Sequence, residues 1–151
     1  MASGRDRGGR TLALDLGRAR VGVAIDDELG SMAHPRGVLD PRDRPAFLAR
    51  LKAMVDENEV RRIVVGLPVD LRGHEGDAAR NARTIAQAIA DACEVDVELW
   101  DERMTTMVAA RALSDSGLTA KQAKSRIDEA SAVAILESWL GSRRQARRPR
   151  G

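Results

Sequence analysis

The sequence predicts an α/β protein built on one mixed sheet, and three observations carry that expectation. Residues 11–17 (TLALDLG) and 20–26 (RVGVAID) are strand-like runs joined by a very short connection, which makes them an antiparallel hairpin. Residues 62–67 (RIVVGL) form a continuous apolar, β-branched run of the kind found in strands buried on both faces. From residue 44 onward, stretches with apolar side chains at helical spacing alternate with such strands. A chain of 151 residues, 43% of them hydrophobic, has room for one domain and one core.

Element by element, the first strand places Leu12, Leu14 and Leu16 on one face and Thr11, Ala13 and Asp15 on the other. Both faces are largely apolar, as in a central strand, with Asp15 near its end. A third strand at 33–39 completes a meander. Phe47, Leu48, Leu51 and Val55 set out a helix over 44–59. The strand at 62–67 is cut off by Gly66 and Pro68, and a glycine-containing loop, 69–76, follows. A helix over 77–93 gathers Ala78, Ala82, Ile85, Ala86 and Ile89 on one side, and 94–100 alternates as a strand. Residues 105–114 read as a helix capped by Thr105 or Thr106, and a last helix runs from about 120 or 125 to Leu140, stopped by Gly141. The expected order is β-β-β-α-β-α-β-α-α, with residues 1–10 and 142–151 as disordered tails.

Charge is unevenly spread. The net charge is +2, yet residues 143–151 carry five arginines and no acid, and residues 1–10 carry a net +2, which leaves 11–142 at −5. Such a body suits a cation site better than a surface that coats nucleic acid, while the basic end could touch phosphates. Cys93 is the only cysteine, which excludes an internal disulfide and a cysteine-based zinc site. No run of about 18 apolar residues and no secretory leader is present, so a cytoplasmic protein without a membrane partner is expected.

Conventional nucleophilic centres are absent. Only His34 and His74 are histidines, no Gly-x-Ser-x-Gly turn occurs, and the three lysines, Lys52, Lys121 and Lys124, fit no phosphate-binding loop. Carboxylates remain. Asp15 lies inside an apolar strand and needs a cation, an arginine or a hydrogen-bonding turn as partner. Asp101 and Glu102 end a strand where a helix begins. Asp128 shares a helix stripe with Ser131, Ala132, Ile135 and Trp139. Each acid alone has an ordinary structural explanation. Gathered at one sheet edge, they would raise one another's pKa unless a divalent cation neutralised them, and carboxylate oxygens are the ligands Mg²⁺ and Mn²⁺ prefer. Two such ions hydrolyse phosphodiesters without histidine or cysteine.

The blocks TLALDLGRARVGVAI (11–25), IVVGLPVDLRGHEG (63–76), WDERMTT (100–106) and IDEASAVAILESWL (127–140) resemble, in order, those of the YqgF (RuvX) family of pre-16S rRNA nucleases and Holliday junction resolvase-like proteins. The resemblance covers residues 11–141. It implies a ribonuclease H-like fold with a five-stranded sheet and helices on both faces, and a metal-dependent nuclease acting in 5′ maturation of precursor 16S rRNA. It also implies Asp15, Glu102 and Asp128 as catalytic metal ligands. The helix block departs mildly from the family pattern at Ala130-Ser131-Ala132. Strand alternation sets Val95, Val97, Leu99 and Asp101 against Asp96, Glu98, Trp100 and Glu102, and so turns Asp101 to the apolar face. The resemblance favours Glu102, on the ground that register breaks at a strand's last residues, with Asp101 as reserve ligand.

Arg18, Arg20 and Arg103 flank these acids as phosphate contacts, and Gly66 and Gly73 shape the loop beside them as part of the substrate-binding set. With Phe47, Trp100 and Trp139 the only aromatics, backbone charge and shape should outweigh base stacking. Structured RNA is the expected partner, with the ribosome as a further one. Two alternatives stand beside it: a junction resolvase, which needs a dimer rather than a monomer, and a non-catalytic ribosome-assembly or RNA-binding factor.

Overall fold

The computed structural model describes residues 9–27, 29–105 and 120–147, with backbone alone for 120–126 and 145–147. Five strands, β1 (Arg10–Leu16), β2 (Val21–Asp26), β3 (Ala33–Leu39), β4 (Val60–Leu67) and β5 (Asp96–Asp101), form one sheet in the order β3-β2-β1-β4-β5. β1, β2 and β3 are antiparallel neighbours, whereas β1, β4 and β5 run parallel. The meander closes through a tight turn in which Gly17 N–H donates to the Arg20 carbonyl at 2.9 Å. A Cβ on Gly17 would lie 2.6 Å from that oxygen, so the turn requires glycine.

Helix α1 (Arg44–Glu57) begins where Asp43 accepts the Ala46 N–H through its side chain, with a proline in the first turn. Helix α2 (Asp77–Cys93) ends on Glu94 in the left-handed conformation. That residue is spent on the turn, which is why β5 starts at Asp96 and not at 94. β4 starts two residues before the expected 62, because Val60 already pairs with Arg10.

Side-chain alternation divides the core in two. Leu12, Leu14, Val21, Val23, Ile63 and Val65 pack on the face covered by α1 and α2, against Phe47, Leu51, Ile89 and others. The opposite face presents smaller groups, Ala13, Ala24 and Val64, to α3 (Ala120–Arg147) through Ala132, Ile135, Leu136 and Trp139. Helices therefore cover both faces, as expected.

Two helix expectations change. Gly141 does not stop α3, which continues to Arg147, so residues 142–147 are helical and not tail. A mid-helix glycine costs only about 1 kcal/mol, and contacts lie on both sides of it: Arg143 stacks on Trp139 at 4.9 Å and Arg144 donates to the Ser31 carbonyl at 3.0 Å. The helix expected over 105–114 falls almost wholly on residues 106–119, outside the described residues. Thr105 itself closes a 3₁₀ turn (Glu102–Met104), donating both N–H and hydroxyl to the Glu102 carbonyl.

Candidate active site

Parallel pairing brings the carboxyl ends of β1, β4 and β5 to one edge of the sheet, the edge at which open α/β sheets bind ligands. Asp15 stands there, one residue from the end of the central strand and half-buried. It pairs in register with Gly22 of β2. Both therefore face α3, and a Cβ on Gly22 would lie 1.9 Å from the Asp128 carbonyl oxygen. The missing side chain lets the α3 backbone rest on the sheet at Asp128, beside Asp15. Glu129 fastens the same turn of helix to the edge strand by accepting the Gly37 N–H at 3.1 Å.

Glu102 arrives from the other side. In β5 Trp100 lies opposite Gly66 and packs against the α3-facing cluster. Glu98 on that same face accepts the Trp139 indole N–H. Glu102, two residues beyond Trp100, follows the same alternation to the α3 side. A Cβ on Gly66 would lie 2.8 Å from Glu102 Oε1 and 2.7 Å from Ile135 Cδ1. Gly66 is thus a strand residue that makes room for the carboxylate, and not part of a loop.

The expected break of strand register is unnecessary. Asp101 points the other way and forms a fork with Arg103, with Nη2 to Oδ2 at 2.6 Å, while its Oδ1 accepts the Arg103 N–H at 2.9 Å. The Arg103 guanidinium holds the Asp101 carboxyl below the ordinary range. Asp101 is thereby engaged away from the other acids.

The remaining three acids act on one another electrostatically. The Asp15 carboxyl is raised from the usual 3.8 to about 7, first by burial, then by the charge of Glu102, a side-chain hydrogen bond to Glu102, and the charge of Asp128. Among the described residues no three acidic, histidine or cysteine side chains encircle a metal position as they stand. The set is a hydrogen-bonded carboxylate pair with a third acid nearby.

Of the basic residues, Arg18 is exposed and Arg20 half-buried, with its Nη1 enclosed and lacking any hydrogen-bond partner. Arg103 Nη1 lies 3.7 Å from where a Cβ on Gly73 would stand, and Gly73 adopts φ +87°, so the 69–76 loop reaches back to the turn that carries Glu102. Ser138 had no signal in the sequence. Its hydroxyl accepts the Trp100 indole N–H at 3.1 Å and donates to the Met104 carbonyl at 2.8 Å, tying the Glu102 turn to α3. Cavities do not single out this edge. One of about 820 Å³ opens around Arg10, Asp26, Trp139 and Arg143 at the other end of the strands, and one of about 430 Å³ adjoins Glu102.

A five-stranded sheet of this order, with acids at the carboxyl ends of its central and edge strands and on the covering helix, is a ribonuclease H-like fold. The structure of Thermus thermophilus RuvC in complex with a Holliday junction substrate matches it with a TM-score of 0.55 over 89% of this chain and 96% of that one, at 12% identity. The chain belongs to the RuvX family, described as Holliday junction resolvase, whose model matches residues 9–142. Relatives named "Putative pre-16S rRNA nuclease" include one from Anaeromyxobacter sp. (strain Fw109-5), 44% identical over 89% of this chain and 98% of its own. Another, from Streptomyces coelicolor, is 46% identical over 97% and 89%. The family is one of nucleases, hydrolases acting on ester bonds. No helix among the described residues is long and apolar enough to cross a membrane.

Proposed function

We propose that this chain is a divalent-cation-dependent nuclease that hydrolyses phosphodiester bonds in structured RNA and matures the 5′ end of precursor 16S rRNA in the cytoplasm. The observation that carries it is the pairing of Asp15 with Glu102 at the carboxyl edge of the sheet, with Asp128 delivered to the same place by a glycine-permitted helix contact. The names of the relatives supply the RNA.

The donor set fits Mg²⁺ or Mn²⁺. Asp15, lifted to about 7 by burial and then by Glu102 and Asp128, gains from a hard cation, and the three acids offer only oxygen ligands. Asp15, Glu102 and Asp128 would hold the ions, two in this proposal, and a bound pair supplies Lewis acidity and a water of lowered pKa. The chain's own groups do the rest. The proton that burial and the neighbouring Glu102 and Asp128 charges hold on Asp15 would be displaced by a bound cation. Half-buried Arg20, with Arg18 and Arg103 exposed at the same edge, adds positive charge that orients the phosphate backbone.

The test is cleavage of precursor rRNA and of a four-way DNA junction side by side, with Mg²⁺ or Mn²⁺, using wild type and Asp15→Asn. Cutting of the RNA that vanishes in Asp15→Asn supports the proposal. Equal activity in the variant would remove the carboxylate site from it. The family description and the RuvC fold favour one second reading, junction resolution. That requires two active sites, so only monomers bound to junctions in sedimentation would count against it. If replacing all three acids still supports maturation, the chain is instead a non-catalytic assembly factor.

A further inference from the structure

The cavity beside Glu102 has a physical account that catalysis alone does not give. At about 430 Å³ it falls in the roughly 300–1,000 Å³ range of small-molecule sites, too small for a duplex. Half-buried Val69 and buried Ala79 give it apolar walls, and exposed Asp70, His74 and Glu75 give it polar ones. Hydrogen bonds link these wall residues to their neighbours. Asp70 Oδ1 accepts the N–H groups of Arg72 and His74 at 2.9 and 2.8 Å, and Glu75 takes both arms of Arg83 at 2.7 and 2.6 Å.

Gly76, also lining the cavity, caps α2 without a side-chain hydrogen bond. Its φ of −98° suits any residue, and a Cβ there would meet nothing within 4 Å. Neither conformation nor packing calls for glycine at a position where serine, threonine, aspartate or asparagine would stabilise the helix. What its absent side chain leaves is open space at the cavity.

From this we propose that the cavity receives the ribose and base of one unstacked nucleotide next to the bond being cut, a proposal that rests on the nuclease function above. Three carboxylates among its lining, Asp70, Glu75 and Glu102, repel a phosphate but accept hydrogen bonds from sugar hydroxyls and exocyclic amines. His74, its side chain mostly exposed, offers a ring on which a splayed base can stack. A substrate strand with an unpaired nucleotide at the cut is therefore preferred over continuous duplex.

The cavity is tested by filling it from exposed Ala78 with Ala78→Phe, and from Gly76 with Gly76→Thr, whose hydroxyl also caps α2 and so keeps the fold. Adenosine and cytidine, added without metal, should shift the His74 and Gly76 signals of wild type in NMR and bind about tenfold more weakly to either variant. Removing the base beside the cut from an RNA substrate should slow wild type about tenfold and leave Ala78→Phe indifferent. Nucleosides that shift no signals, or shift them equally in Ala78→Phe, overturn the cavity proposal. Wild type that cuts no RNA overturns the nuclease function instead, and the nucleoside titration still judges the cavity.

Discussion

Asp26 shows what one buried carboxylate costs. It ends β2 almost fully enclosed and accepts the Thr11 N–H at 2.9 Å, yet burial dominates and lifts its pKa from 3.8 to about 6. The folded chain therefore binds this proton more tightly than the unfolded chain does. The penalty for ionising it is absent below about pH 4, grows as pH rises towards 6 and is complete above that. Asn at this position keeps the acceptor for Thr11 and never ionises. Stability of wild type relative to Asp26→Asn, measured by urea unfolding at pH 4 and pH 7, should fall as pH rises. A difference that stays constant would mean Asp26 is not buried in solution. At the same scale, Asp15 and Asp128 were legible as misfit acids on apolar faces. Glu102 over Asp101 was not derivable from alternation, because both faces of the sheet are covered and the α3 face itself carries Glu98 and Trp100, each satisfied or buried by a partner 38 to 41 residues away. Such partners leave no local mark in sequence.

Elements were more legible than their ends. Strands β1 to β3 and helix α2 follow from period and turn chemistry alone, since hairpins and amphipathic helices are local. Gly141 misled because a glycine stops a helix only when the chain has no further contacts to make, and here Trp139 and Arg143 stack across it. A Cβ at Gly141 meets nothing within 4 Å and the backbone is helical, so Gly141→Ala should stabilise the protein by roughly 0.5–1 kcal/mol in chemical denaturation. Destabilisation would show that the helix ends there after all. Ser138 makes the opposite case. Ser138→Ala strands the Trp100 indole N–H and the Met104 carbonyl, a loss of about 1–3 kcal/mol. Because those bonds hold the turn that bears Glu102, metal affinity read by isothermal titration should weaken as well, and Ser138→Thr should restore it. A purely structural hydroxyl would leave metal affinity unchanged.

For the molecule as a whole, the proposed cations and the fold are linked. The carboxylates of Asp15, Glu102 and Asp128 would gain a cation that the unfolded chain does not bind, so Mg²⁺ or Mn²⁺ at 100 times its Kd should add about 2.7 kcal/mol of stability. Thermal melts with and without metal should show the increment in wild type and none in Asp15→Asn. Equal increments would place the ion elsewhere. The order β3-β2-β1-β4-β5 was only half readable. The antiparallel meander is written in adjacent residues, whereas the parallel pairing of β1 with β4, which brings Asp15 and Gly66 to one edge, joins residues some fifty positions apart.

The chain has no tyrosine, and both its tryptophans lie at the contact between the sheet and α3, their indole N–H groups bound across it to Ser138 and Glu98. Ultraviolet emission therefore comes wholly from this one contact and is blind to the layer of α1 and α2. A helix α3 that lifts from the sheet before the rest unfolds would redden and dim the fluorescence while far-ultraviolet circular dichroism stays nearly constant. The protein thus carries its own optical gauge of whether Asp128 is seated beside Asp15.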